Sequence, residues 1–146
     1  MAPDKTKERM LEMLKANHSC VLATASLSGL PHASLMGYVA DETALSVFMI
    51  TPRGTRKYSN LKENPRASLL VRQGDSALTV ACTAEEENAP EPRRQMIEII
   101  VGARPGLAEL AGMDDIAVFR FNVETVQLLD GPVKSEFRNM DRENGQ

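Results

Sequence analysis

Cysteine and histidine are both scarce in this 146-residue chain, with two of each. Cys20 and Cys82 lie far apart and neither belongs to a Cys-x-x-Cys pair, which argues against a disulfide framework or a zinc knuckle. Both stand among apolar and β-branched neighbours, where cysteine acts as a small core residue. His18 and His32 have no HExxH or His-x-His arrangement around them, so no protein-built metal site is expected. Long apolar runs are missing too: none approaches the roughly 20 residues that span a bilayer. The opening MAPDKTKERMLEML threads charges through its apolar positions, unlike the continuous block of a signal peptide. A soluble, cytoplasmic protein is the expectation. Basic excess is also absent. A net charge of −3 argues against a nucleic-acid partner, which needs a positive footprint to displace counterions.

What is present resembles an ordinary globular domain. Hydrophobic residues make up 42% and charged residues 25%, and the length suits one core that needs no staples. The expected layout is a single domain over residues 1–133 followed by a polar, mobile tail over 134–146. Residues 4–16 predict a helix with Asp4 as N-cap, Met10, Leu11 and Leu14 on one face, and Asn17 ending it in the left-handed conformation. Segments 19–26 and 31–40 flank the turn signal Leu27-Ser28-Gly29-Leu30 and predict a hairpin. The apolar run 44–50 follows closely, and three strands with short connections favour an antiparallel meander.

Further strands are expected at 66–72, 77–83, 116–121 and 125–129, with helices at 56–63, 93–101 and 106–111. Residues 85–92 form an acidic, proline-containing loop in which the three glutamates are expected to be solvated. About seven strands in segregated order indicate an α+β antiparallel barrel of six to seven strands with short flanking helices, since closure removes exposed edges.

The most informative stretch is ITPRGTRKYSNLKEN, residues 50–64. It reads as a strand, a breaker-rich loop, Thr55 as N-cap, then Arg56 and Lys57 in the first helical turn. Cations there face the positive end of the helix dipole and are misplaced unless an anion joins them. Open backbone N–H groups, the hydroxyls of Thr51 and Thr55, and two cations would together hold one phosphate. A solvated basic loop is the alternative. No Walker loop or GxGxxG is present, so a phosphate on a small cofactor fits better than a triphosphate or a dinucleotide.

The order GLPHASLMGYV, then ALSVFMITPRGTRKYSNLKENPRASLLV, resembles the pyridoxamine-phosphate-oxidase-like, FMN-binding split-barrel family. The pattern T-x-x-x-[ST]-R-K-x-x-x-[LI]-x-x-N-P-R-x-S-L is matched from Thr51 through Leu69. The resemblance implies a split β-barrel in which Arg56 and Lys57 bind the FMN phosphate or nearby ribityl oxygens. It implies that Thr51 touches the flavin and Ile50 flanks it. Ser34, Leu35, Met36, Gly37 and Tyr38 would lie along the isoalloxazine and offer backbone groups to its polar edge. Thr79 would add a contact from the next long strand. It further implies a homodimer with the flavin at the interface.

Two departures stand out. No histidine follows His32, so the C-terminal Arg-x-His element of pyridoxamine phosphate oxidase is missing, and the helical stretch over 93–113 is an addition. Three functions remain open. One is an FMN-dependent oxidoreductase acting on a small molecule other than pyridoxamine phosphate. Another is a non-catalytic flavin-binding or electron-carrying module. The third is a haem-handling protein with His18 or His32 as iron ligand. Deazaflavin is an alternative cofactor, because it also carries a phosphate.

Overall fold

The structure is a computed structural model and describes residues 2–140. Helix α1, Lys5–Ala16, is capped by Asp4, whose carboxylate accepts from the Lys7 N–H at 3.1 Å. It buries Met10, Met13 and Leu14, while Leu11 is only half-buried. Asn17 ends the helix differently from expectation. Its backbone is extended, at φ −93° and ψ 155°, and its side-chain amide donates to the Met13 carbonyl at 2.7 Å. A side-chain donor thus satisfies a carbonyl that a left-handed turn would otherwise have served.

Strand β1 (Ser19–Ala25) pairs with β2 (Pro31–Gly37), as the hairpin reading requires. The meander does not continue. The short β3 (Val39–Ala40) and then β4 (Ser46–Pro52) pair with each other, and the sheet order is β2-β1-β5-β6-β7-β4-β3, with β8 beside β7. Here β5 is Arg66–Gln73, β6 Ser76–Glu86, β7 Ile116–Asp130 and β8 Lys134–Asn139. β2 and β3 therefore lie at opposite ends of the order, yet Tyr38 alone separates them in the chain. One residue spans only about 7 Å between its neighbours. The sheet must curl until its two ends meet, and every pairing in it is antiparallel. The result is an α+β split barrel with four flanking α-helices among the described residues.

Three segments differ from the sequence reading. The two last strands are one, β7, because the polar step at Asn122-Val123-Glu124 is absorbed by a bulge against Ala81/Cys82 and does not become a turn. β6 runs on to Glu86, so the acidic segment begins as strand. The expected tail opens with β8, which forms a hairpin with β7 through Gly131 at φ +77°. β8 reads as polar because it is an edge strand. The remaining tail, 141–146, lies outside the described residues.

The interior of the barrel is filled by residues such as Leu22, Leu69, Leu78, Val80 and Phe121, onto which α1 lays Met10 and Leu14. Each fully buried side chain of this size contributes about 1.5–3 kcal/mol. A second cluster lies outside the barrel, where Met96 and Ile100 of α3 (Pro90–Ala103) pack on Phe48, Ile50, Ile116 and Val118. β4 is therefore covered on both faces, and its continuous apolar run reflects that. No helix among the described residues is long and apolar enough to cross a membrane.

Candidate functional site

Helix α2, Arg56–Glu63, starts where β4 ends. Thr55 caps it: its hydroxyl accepts from the Tyr58 N–H at 3.3 Å and donates to the Pro52 carbonyl at 3.0 Å. The hydroxyls of Thr51 and Thr55 lie 3.3 Å apart, which ties the strand end to the cap. Asn64-Pro65 ends the helix as the sequence indicates.

Glu86, at the end of β6, anchors this turn, and its side chain is only 5% exposed. Its carboxylate accepts from the Arg53 guanidinium at 2.9 and 3.2 Å, from the Tyr58 hydroxyl at 2.9 Å and from the Lys62 ammonium at 3.1 Å. Burial by itself would raise the Glu86 carboxyl, but the donors from Arg53, Lys62 and Tyr58 outweigh it and hold it below the ordinary value. The expectation of a solvated glutamate run fails at Glu86 and Glu87, while Glu85 is exposed as expected. Glu87 pairs with Arg120 at 3.4 Å and Glu85 accepts from Asn122 at 2.9 Å, both partners on β7, because β6 runs on to Glu86 beside that strand.

This network separates the three cations of the loop. Arg53 is committed to Glu86 and Asp115. Arg56 and Lys57 make no ion pair or side-chain hydrogen bond among the described residues, and no acidic residue occupies the first turn of α2. They are the uncommitted charge of the segment.

Lys57 faces a cleft of about 220 Å³, bounded on one side by Ile50, Thr51 and Pro52 of β4 and on the other by Leu35, Met36 and Gly37 of β2. β2 is an end strand. The Tyr38 N–H donates to the His18 carbonyl at 3.0 Å, so with the observed register the backbone groups of 34 and 36 also turn toward β1. Those of Ala33, Leu35 and Gly37 then point away from the sheet, along its free edge. Leu107 and Leu110 close the cleft, from a 3₁₀ turn at Pro105–Leu107 and from α4, Ala108–Ala111.

The expected residues fall into groups. Leu35, Met36, Gly37, Ile50, Thr51 and Lys57 line the cleft together. Arg56 is exposed beside Lys57 at the helix start. Ser34 stands on the inward face of β2, and its hydroxyl is buried without a hydrogen-bond partner among the described residues, as is His32 Nδ1. Neither Ser34 nor Arg56 lines the cleft, and two further expected residues, Tyr38 and Thr79, lie away from it. Tyr38 is fully buried, its hydroxyl donating to the Leu14 carbonyl at 2.5 Å, so its side chain pins α1 to the corner where the sheet closes. Burial pushes its phenol up, beyond any role as a base. Thr79 is exposed on β6, in register with Leu70 and Gln127, on the outer face of the sheet.

The sequence reading missed Leu107 and Leu110. Their i, i+3 spacing within the expected 106–111 helix was the available signal, but nothing local links them to β2. It also missed the buried pair Asn60 and Thr24, in which the amide donates to the hydroxyl at 3.0 Å and holds α2 onto β1.

The family profile of pyridoxamine 5'-phosphate oxidase matches residues 6–130. The chain belongs to that family. No curated protein matches it. The fold is similar to that of HutZ, the heme storage protein of Vibrio cholerae, with 20% identity, 85% of this chain and 92% of that one covered, and a TM-score of 0.66. It is similar to a heme binding protein from Mycobacterium smegmatis, with 18% identity, 95% and 59% covered, and a TM-score of 0.77. It is also similar to a putative pyridoxamine 5'-phosphate oxidase from Listeria innocua, with 19% identity, 85% and 98% covered, and a TM-score of 0.68. At these identities the likeness is one of fold.

The match to the pyridoxamine 5'-phosphate oxidase family covers every element that lines the cleft. The segment that carried the resemblance, Thr51 through Leu69, is the one that builds the capped helix start beside it. The helical segment after β6 supplies the opposite wall through Leu107 and Leu110.

Proposed function

We propose that this chain binds FMN in the cleft between β2, β4 and α2 and works as a flavin-dependent oxidoreductase on a small molecule. The observation that carries this reading is the uncommitted pair Arg56 and Lys57 at a capped helix start, opening onto an apolar cleft with a free strand edge. The residues fit the group. The two cations and the open N–H groups of the first turn suit the phosphate. Leu35, Met36 and Ile50 suit a flat ring, and the edge groups of Leu35 and Gly37 suit its polar rim. FMN supplies the redox chemistry when bound, so this chain has only to orient it and shape the space beside it.

About 220 Å³ is less than the roughly 300–1,000 Å³ of a complete small-molecule pocket, so one chain would leave the ligand part-covered. A second copy would complete the site. Leu35, 77% exposed, stands at the cleft and also heads a row across the outer sheet face that runs through Val21, Leu70, Thr79 and Gln127 to Phe137. Such a weakly polar, uncharged row suits pairing of two such faces in a homodimer, with the flavin between them. Thr79 would then meet the partner and not its own chain's cleft.

Titration with FMN and riboflavin tests the reading. Wild-type protein should quench FMN fluorescence, and Lys57→Ala should weaken FMN roughly tenfold to a hundredfold, the value of a charge-assisted contact of about 1.5–3 kcal/mol. Riboflavin, without the phosphate, should bind both alike. Wild-type FMN affinity in both Lys57→Ala and Arg56→Ala would refute the phosphate assignment. Haem handling is the second reading, favoured by the heme storage and heme binding proteins of similar fold. His18, which is exposed and whose backbone carbonyl lies beside Gly37, would be its candidate ligand. A Soret band on adding haemin that is lost in His18→Ala, with no FMN binding, would favour it.

A further inference from the structure

The cleft has one wall that the family motif does not explain. Gly37 lies in β2 with an ordinary backbone, since its φ is not positive, so conformational freedom is not the reason for glycine there. The reason is close approach. A Cβ at this position would lie 3.3 Å from Leu107 Cδ1, 3.8 Å from Leu107 Cδ2 and 3.9 Å from the His18 carbonyl oxygen. Leu107 thus rests on the strand backbone at the end of the cleft.

Its position is fixed from below. Arg104, the residue that ends α3, donates to the Tyr38 carbonyl at 3.1 Å, the Ala103 carbonyl at 2.9 Å and the Asn17 carbonyl at 3.4 Å. The Leu107 N–H donates to the Arg104 carbonyl at 2.9 Å. The turn bearing Leu107 is therefore tied to the corner where the sheet closes and to the end of α1.

We propose that Leu107, seated on Gly37 and held there by Arg104, is the specificity wall of the cleft: it sets the width open to a ring, favouring one as narrow as a flavin over a broad macrocycle such as a porphyrin. The inference rests on the reading of the cleft as a ring-binding site. In an apolar pocket a change of about one methylene shifts binding by roughly 10–200-fold, so small movements of this leucine are measurable.

The test uses Gly37→Ala, Leu107→Ala and the double variant, each checked by circular dichroism and thermal midpoint. Each is titrated with FMN by fluorescence and with haemin by its Soret band. Gly37→Ala should displace the end of the Leu107 side chain by a few tenths of an ångström and weaken FMN severalfold. Removing the leucine in the double variant should restore FMN affinity to within threefold of Leu107→Ala. Leu107→Ala should raise haemin affinity relative to FMN at least tenfold. Wild-type FMN affinity in Gly37→Ala, or an unchanged FMN-to-haemin ratio in Leu107→Ala, overturns the wall while leaving the flavin reading intact. If Gly37→Ala fails to fold, the ratio in Leu107→Ala decides. Wild-type protein that takes up haemin and not FMN ends the flavin reading and the wall with it. Uptake of neither ligand ends both.

Discussion

Replacing Glu86 by Gln should destabilise the protein by about 2–3 kcal/mol while leaving its shape nearly unchanged. Removing one partner of a fully buried ion pair costs about 3–5 kcal/mol, because the remaining charge is stranded. The Glu86 side chain is 5% exposed, but Arg53 is 30% and Lys62 48% exposed, so water can rehydrate both once the carboxylate is gone. Only the Arg53 bonds and the Tyr58 hydroxyl carry most of the value, and the Lys62 pair adds less than about 1 kcal/mol. Urea denaturation at pH 7 should show a lowered midpoint with an unchanged slope. The thermal midpoint should fall by about 5–10 °C for a chain of this length. The pH dependence follows from the same geometry. The folded carboxyl is held below its ordinary value, so its stabilisation is fully present above the unfolded value near 4.5 and is lost as pH falls through the folded one. The gap between wild type and Glu86→Gln should therefore narrow on acidification below about pH 4.5. A loss under about 0.5 kcal/mol at pH 7, or a gap that stays constant down to pH 3, would refute the account of Glu86 as the anchor of the α2 turn.

Two more outcomes follow from the core. Tyr38→Phe strands the Leu14 carbonyl, one of the last four of α1 and without an intrahelical partner, and should cost about 1–3 kcal/mol in urea denaturation with FMN affinity unchanged. A variant that loses FMN binding but not stability would return Tyr38 to the ligand site. Cys20 and Cys82 are 3% and 2% exposed, and burial pushes both thiols up to about 12. Neither should react with a thiol reagent at pH 8 until denaturant is added. Rapid reaction in the native protein would show that the barrel opens far more readily than its packing implies.

The helix start at Thr55 is legible in the sequence because every interaction that makes it is local. A capping hydroxyl three residues from its donor, two cations in one turn and a proline that stops the helix all act within a few positions. The same is true of α1 and of the β1–β2 hairpin. The family membership is legible for the same reason, since the segment from Thr51 to Leu69 is contiguous. What the sequence could not disclose was any relation set by the curling of the sheet. Residues 31–40 read as one strand, and only the closure at Tyr38 divides them into β2 and β3 and turns that side chain to α1 instead of the cleft. Glu86 read as a solvated charge because its partners lie 24, 28 and 33 residues away. Leu107 read as an ordinary helix residue because the glycine beneath it stands at position 37, on the far side of the chain. The polar stretch 134–139 read as tail because an edge strand need bury only part of one face. Local spacing determined the capped, cationic turn, whereas the cleft beside it exists only because one residue of chain joins the two ends of an eight-stranded sheet and forces them together.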